Sequence, residues 1–221
     1  MIHPDMATLL AFITSDVAAP AALLRDVLQD ATAETFNCMT VDGDTSPNDT
    51  ALLLANGAAG GPLCSANSPL LEQFSGAVRN VCADLAEQLV ADAEGATRYF
   101  HVTVDGAADD ADARLAARTI AASPLVKTAV HGADPNWGRI VAALGRSGAA
   151  FTLDRCSVTI GGTTVLQRGV PTAVDLTAVS DSLRSTRVDI DVSLGDGPGR
   201  GHCWGCDLTA EYVRINAEYT T

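Results

Sequence analysis

Several groups of residues in this sequence have types and spacings that could support chemistry. Three aspartates, Asp42, Asp44 and Asp49, lie in one polar stretch and could bind a cation. Runs of Asp, Asn and Thr more often form hydrogen-bonded turns, so we interpret this stretch as a turn that could also shape a pocket. Residues 132–139 have the glycine content of a phosphate loop but lack its Gly-Lys-Ser/Thr ending, which argues against nucleotide binding.

Two other groups suggest zinc, redox or hydrolase chemistry only weakly. Cys203 and Cys206 have Cys-x-x-Cys spacing, but a zinc or redox site would need a second ligand pair or a redox fold. None of the four histidines lies in a pattern typical of a hydrolase triad. Thr8 stands before an apolar run, where a threonine that simply begins a strand is the plainer interpretation.

Five blocks of sequence, in a fixed order, change the interpretation of Thr8. The blocks are residues 1–12, 40–57, 92–97, 132–139 and 204–221. In this order they are similar to the C-terminal half of the ornithine acetyltransferase (glutamate N-acetyltransferase) family of arginine biosynthesis. The resemblance covers essentially the whole chain, and chance agreement over five ordered blocks is very improbable.

The resemblance implies that the precursor cuts itself between Ala7 and Thr8. In such a cut the threonine hydroxyl attacks the preceding carbonyl, the acyl group moves from nitrogen to oxygen, and water releases the upstream piece. Thr8 then carries both a nucleophile and a base, because an unperturbed α-amine has a pKa of about 7.7–8 and is partly neutral near pH 7.

The resemblance further implies a ping-pong transfer through an acetyl group on Thr8. N-acetylornithine donates the acetyl group and glutamate accepts it, and whether acetyl-CoA is also a donor stays open. No cofactor and no metal are expected. Thr8, Glu94, Asn216 and Thr221 match the substrate-contacting positions. Without the resemblance, Glu94 would be interpreted as a solvated residue at a helix end.

The same resemblance implies a partner. Residues 1–7 correspond to a remnant of an upstream alpha chain, and residues 8–221 to a beta-chain domain of an αββα sandwich whose N-terminal half is missing here. The missing half would supply the oxyanion-hole Thr-Gly pair, a lysine and another threonine. It could be absent through truncation or be encoded separately, and an α2β2-type heterotetramer is expected.

Composition excludes several classes of function. With 47% apolar and 19% charged residues among 221, the chain is typical of a globular protein with a substantial core. A net charge of −13 argues against a nucleic-acid-binding surface. No apolar run approaches the roughly 20 residues of a membrane span. Six irregularly spaced cysteines and the absence of a signal-peptide pattern favour a cytoplasmic protein.

The elements that must position these residues follow from hydrophobic periodicity. Strands and helices alternate without a strict βαβ order, which predicts an α+β or mixed α/β layered fold in one domain. Strands are predicted over 8–13, 38–41, 97–104, 126–130, 150–160, 187–194 and 205–214, with 51–55 left undecided. Helices are predicted from Pro20, from Ser68-Pro69, and over 107–122, 137–144 and 176–183.

Two further functions remain open from the sequence. A self-cleaving threonine amidase or aminopeptidase would keep the nucleophile but use water as the acceptor, and would release acetate without any need for glutamate. A non-catalytic remnant would fold or associate but form no acetyl-threonine adduct even with the upstream half supplied.

Overall fold

The computed structural model describes residues 1–3 and 8–218. It divides into two compact units, Met1–Gln88 (unit 1) and Leu89–Thr221 (unit 2), and the division falls inside a long helix. The beta-chain domain predicted over residues 8–221 stays a prediction. Within the described ranges, no helix is both long and apolar enough to cross a membrane.

Unit 1 is built on a pair of parallel strands. β1 (Leu10–Ser15) pairs with β3 (Thr50–Ala55) in a register that sets Leu10 opposite Thr50. Parallel strands need a long crossover connection, and here it contains helix α1 (Ala21–Glu34) and the short strand β2 (Met39–Thr40). Helix α2 (Leu70–Ala91) follows. The sequence predicted α1 and α2, and the undecided stretch 51–55 is strand.

β1 is less buried than predicted. The apolar run 8–13 predicted a nearly continuous buried strand, but the side chains alternate between the two faces. Ala11 and Ile13 are buried, whereas Leu10 is 68% and Phe12 is 62% exposed in this chain. The prediction was wrong because successive residues of a strand point to opposite faces, so an apolar run does not by itself require burial on both.

Unit 2 contains a mixed sheet. Its strands are β4 (Tyr99–Ala107), β5 (Ser157–Ile160), β6 (Thr163–Gln167), β7 (Val170–Pro171), β8 (Arg187–Ser193) and β9 (Gly199–Cys206). Their spatial order is β9-β4-β8-β5-β6-β7. β4 and β8 run parallel, and the other neighbouring pairs are antiparallel.

Helices supply the second layer of unit 2. They are α3 (Asp110–Ala121), α4 (Pro124–His131), α5 (Trp137–Gly145), α6 (Leu176–Ser182) and α7 (Ala210–Glu218). Alternate residues of β4, including Phe100 and Val102, are fully buried in one cluster with Ala116 and Ile120 of α3. The layered mixed α/β fold that the sequence predicted is confirmed.

One predicted strand is a helix instead. Residues 126–130 form part of α4, because Pro124 occupies the first turn and Val126, Ala129 and Val130 bury at helical spacing. Their β-branched side chains misled the prediction.

The last predicted strand, 205–214, was wrong in most of its length. The strand β9 ends at Cys206, and α7 begins at Ala210. Thr209 accepts a hydrogen bond from the Tyr212 N–H at 3.2 Å, as a capping side chain does. The predicted strand 150–160 is likewise shorter, since only Ser157–Ile160 is extended within it.

Candidate functional site

Thr8 lies at the entrance to β1 in unit 1. Its side chain is exposed, and its backbone N–H donates a hydrogen bond to the Met1 carbonyl oxygen at 2.7 Å. The next residue, Leu9, is buried, and its carbonyl accepts the Thr50 N–H at 2.8 Å. The parallel pairing of β1 with β3 therefore fixes the backbone immediately after the predicted nucleophile.

The three aspartates of the polar stretch have different surroundings. Asp42 accepts hydrogen bonds from the N–H groups of Ile2 at 3.0 Å and Asp44 at 3.2 Å, and the second of these confirms a turn. Asp44 is exposed. Asp49 directly precedes β3, and its carboxylate accepts a hydrogen bond from the Leu9 N–H. Among the described residues, no cluster of three His, Cys, Asp or Glu side chains could hold a metal ion.

In unit 2, the structure brings together two of the residues that the resemblance selected. The Asn216 Nδ2 atom of α7 donates a hydrogen bond to Glu94 Oε2 at 3.1 Å and another to the Tyr212 carbonyl at 3.0 Å. Both side chains are exposed. The pair presents a carboxylate and an amide to solvent, which is a suitable arrangement for an ammonium group and a neighbouring polar group.

Gly95 allows the loop of Glu94 to approach α7 closely. Its φ is +68°, and a Cβ atom at this position would lie 2.5 Å from the Tyr212 backbone nitrogen. Thr209 Oγ1 donates a hydrogen bond to the Gly95 carbonyl at 2.7 Å, and it also caps α7. One threonine side chain thus joins the loop that carries Glu94 to the helix that carries Asn216.

A buried aspartate anchors the other end of this loop. Asp207 accepts hydrogen bonds from Thr97 N at 2.8 Å, Thr97 Oγ1 at 2.6 Å and Arg98 N at 3.1 Å. His131 Nδ1 lies 2.9 Å from Asp207 Oδ2, the oxygen that also accepts the Thr97 hydroxyl, and the Asp207 side chain is completely buried. Burial raises the pKa of this carboxyl group, but the hydrogen bonds from Thr97, Arg98 and His131 together hold the pKa below its ordinary value.

The sequence did not identify these supporting residues. Gly95, Asp207 and Thr209 all lie inside the blocks that carry the resemblance, but nothing in their spacing indicated that they contact one another. A glycine directly after a candidate site residue was the one available signal, since glycine marks positions with positive φ or close backbone approach.

The histidines have structural partners. His101 Nε2 lies 3.0 Å from His202 Nδ1, and the His101 ring stacks on Trp204 with the ring centres 3.8 Å apart. Burial, assisted by the neighbouring His202, lowers the pKa of His101 to about 4, so this ring is neutral at pH 7. His3 Nδ1 lies 3.0 Å from Thr40 Oγ1.

Residues 132–139 form a cap and a cleft rather than a phosphate loop. Asn136 Oδ1 accepts the Arg139 N–H at 3.2 Å, and Asn136 Nδ2 donates to Asp134 at 3.1 Å. An open cleft of about 560 Å³ lies against this cap and α6, with Asp134, Trp137 and Ser180 among its lining residues. The sequence assigned this stretch no ligand, and its polar groups serve the start of α5.

The predicted site residues that the structure describes are thus divided between the two units. Thr8 belongs to unit 1, and Glu94 and Asn216 belong to unit 2. Ala7 and Thr221 lie outside the described residues, so the predicted cleavage bond is described only on its Thr8 side.

Comparison with a solved structure first identifies the class of protein to which this fold belongs. The chain has the fold of an arginine biosynthesis bifunctional protein. It superposes on the crystal structure of the arginine biosynthesis bifunctional protein ArgJ from Bacillus halodurans with a TM-score of 0.94 and 42% identity. The superposition covers 96% of this chain and 100% of that one, which agrees with the predicted layered α/β class.

The family follows from two further matches. The ArgJ family model matches residues 1–221, and the chain belongs to the ArgJ family. It is 50% identical to the arginine biosynthesis bifunctional protein ArgJ of Dehalococcoides mccartyi and 51% identical to that of Deinococcus radiodurans, each over 100% of this chain. The chain spans 55% of the length of these curated relatives.

Proposed function

We propose that this chain supplies the nucleophile of an acetyltransferase that moves an acetyl group from N-acetylornithine to glutamate. The observation that carries the proposal is the family match over the whole chain, because the relatives are named arginine biosynthesis bifunctional proteins. Thr8, at the entrance to a fixed strand, is the nucleophile once the Ala7–Thr8 bond has been cut.

The proposed reaction has two half-reactions on one hydroxyl group. The Thr8 hydroxyl attacks the acetyl carbonyl of N-acetylornithine while its α-amine takes the proton, and ornithine leaves with that proton. The amine of glutamate then attacks the acetyl ester and restores the free hydroxyl. Each half-reaction passes through a tetrahedral oxyanion, which requires preorganised hydrogen-bond donors.

Glu94 and Asn216 are the proposed recognition pair for an amino-acid substrate. Their 3.1 Å contact and their exposure support a site where a carboxylate binds the substrate ammonium and an amide orients it. Thr221 is proposed as a further contact. The proposed chemistry needs no cofactor.

A partner chain is part of the proposal. The chain spans 55% of its curated relatives, and the sequence resemblance assigns the oxyanion-hole donors to the upstream half. Unit 1 also exposes an apolar strip on its paired strands, formed by Leu10, Phe12, Leu52 and Leu54. Adjacent exposed apolar side chains of this kind are typical of an interaction surface. We propose that the upstream chain covers this strip, in an α2β2 assembly in the cytoplasm.

The test uses the full-length protein with its upstream segment. Wild type is expected to separate into two chains at Ala7–Thr8 and to transfer acetyl groups only when glutamate is present. Thr8→Ala should abolish both events, and Thr8→Ser should keep part of each. Acetate release that does not depend on glutamate would instead favour a hydrolase. A Thr8→Ala protein that transfers acetyl at the normal rate would contradict the proposal.

A further inference from the structure

Among the residues that the structure describes, none donates a hydrogen bond to one oxygen of the Asp49 carboxyl group. Its Oδ1 atom is buried and meets no donor among the residues that the structure describes. A buried polar atom that lacks a partner destabilises the fold, so such atoms are rare and each one calls for an explanation. Burial raises the pKa of the Asp49 carboxyl group by more than the hydrogen bond from Leu9 and the positive charge of the Met1 α-amino group together lower it.

The strand register places this carboxyl group next to the predicted nucleophile. Leu10 pairs with Thr50, so Asp49 stands level with Leu9, the residue after Thr8. The Leu9 N–H donates to the Asp49 carboxylate, and the Thr50 N–H donates to the Leu9 carbonyl at 2.8 Å. One hydrogen bond therefore holds the Asp49 carboxylate on the Leu9 backbone, next to Thr8, and the Thr50–Leu9 hydrogen bond fixes the strand pairing beside it.

Cleavage changes the number of hydrogen-bond donors on the Thr8 backbone nitrogen. In the uncut chain the Thr8 nitrogen is an amide with one N–H, which donates to the Met1 carbonyl at 2.7 Å. Hydrolysis adds one water across the bond, leaving a carboxylate at Ala7 and an ammonium group with three N–H donors at Thr8. Two new donors and one positive charge thus appear one residue away from the unpartnered oxygen.

We propose that Asp49 accepts a hydrogen bond from the α-amino group that cleavage creates at Thr8, and so orients that amine beside the Thr8 hydroxyl. This inference rests on the proposed function. Asp49 is a positioning residue, since it acts through the amine. A neighbouring carboxylate favours the ammonium form, so it raises the pKa of the amine above the unperturbed value of about 7.7–8.

Other titratable groups of this part of unit 1 are already engaged or exposed. The Asp42 carboxylate accepts two backbone N–H groups, and His3 contacts Thr40. The Met1 ammonium group lies 3.2 Å from Asp42 Oδ2, and its charge also acts on Asp49. Asp44 is exposed. Asp44→Asn therefore removes a carboxylate from the same loop without touching the Leu9 backbone, and it is the matched control for Asp49→Asn.

The experiment compares wild type, Asp49→Asn, Asp49→Glu and Asp44→Asn in the full-length protein. Intact mass measures cleavage, and the pH dependence of labelling by dinitrofluorobenzene measures the pKa of the Thr8 amine. Asp49→Asn should still be cut, should lower the amine pKa by about one unit, and should lower kcat roughly tenfold or more. The acidic limb of its kcat/KM profile should move to lower pH, Asp49→Glu should recover part of the shift, and Asp44→Asn should match wild type.

Two results would overturn the inference. One is an Asp49→Asn enzyme with the amine pKa and pH profile of wild type. The other is a Thr8 amine pKa in the wild-type enzyme at or below about 7.7–8, which would rule out a neighbouring carboxylate. This measurement uses wild type alone, so it tests the inference even if the Asp49→Asn protein does not fold. Either result leaves cleavage and transfer by wild type intact, whereas failure of the proposed function would remove cleavage and transfer themselves.

Discussion

Asn216 donates a hydrogen bond to Glu94 at 3.1 Å, although the two residues are 122 positions apart in the chain. The contact depends on Gly95, which lets the loop of Glu94 approach α7 closely, and on the Thr209 side chain, which hydrogen-bonds this loop at the start of α7. The two exposed polar groups of unit 2 that the proposed function requires are therefore held together by the close backbone approach at Gly95 and by the Thr209 side chain.

Substitution of the pair should weaken substrate binding. Loss of a hydrogen bond to a charged group costs about 1.5–3 kcal/mol, so Glu94→Gln and Asn216→Ala should each raise the KM for N-acetylornithine roughly tenfold to a hundredfold in the full-length enzyme. Asp92→Asn, an exposed carboxylate two residues from Glu94, is the matched control and should leave the KM unchanged. Steady-state kinetics measures the KM of the two variants and of the control. An unchanged KM in Glu94→Gln would remove this residue from the site.

Gly95→Ala should destabilise the protein. The φ of +68° and a Cβ atom 2.5 Å from the Tyr212 nitrogen force the loop away from α7. A left-handed alanine costs about 1–2 kcal/mol before the clash is counted. We expect the melting temperature to fall by about 2–8 °C, measured by circular dichroism.

The chain offers a matched control for that change. Gly76→Ala lies inside α2, where a Cβ atom meets nothing within 4 Å, and it should leave stability unchanged or raise it by about 0.5–1 kcal/mol. Equal melting temperatures for Gly95→Ala and wild type would show that the loop does not depend on its approach to α7.

Asp207 should stabilise the fold in a pH-dependent manner. Hydrogen bonds from Thr97, Arg98 and His131 hold its pKa below the ordinary value despite the burial. A lowered pKa in the folded state stabilises the protein above the unfolded pKa of about 3.9, and this contribution is lost as the pH falls through the folded pKa. Asp207→Asn should therefore lower the free energy of unfolding by about 1–3 kcal/mol at pH 7.

Urea denaturation at pH 7 and at progressively acidic pH measures this contribution. The difference between wild type and Asp207→Asn should shrink below the ordinary aspartate pKa, because wild type then loses the same interactions. Asp196→Asn changes a surface partner of Arg155 that is 84% exposed and should have little effect at any pH. A pH-independent difference for Asp207→Asn would contradict the assignment.

The sequence predicted the parts of the fold that depend on periodicity. α1, α2, α3 and α5 have apolar faces at helical spacing, and β4 and β8 alternate as strands. α4 and α7 were missed because their character comes from context: Pro124 begins one, and the Thr209 side chain caps the other. Local propensity does not determine such short helices.

For the candidate site, the sequence predicted which residues matter but not what holds them. Glu94 and Asn216 followed from a resemblance, and their contact depends on a turn at Gly95 that no periodicity reveals. Asp49 was grouped with Asp42 and Asp44 by proximity in sequence. Only the parallel register of β1 and β3 sets it beside Leu9, and register is a property of the folded pair rather than of either segment.

Trapping of the acetyl-enzyme tests the central claim most directly. The full-length protein is incubated with N-acetylornithine in the absence of glutamate, quenched in acid and digested for mass spectrometry. We predict one acetyl group on the hydroxyl of Thr8, in a chain that begins at Thr8, and its loss when glutamate is added before the quench. An acetyl group on any other residue, or a fully active enzyme with no acetyl group on Thr8, would contradict the account.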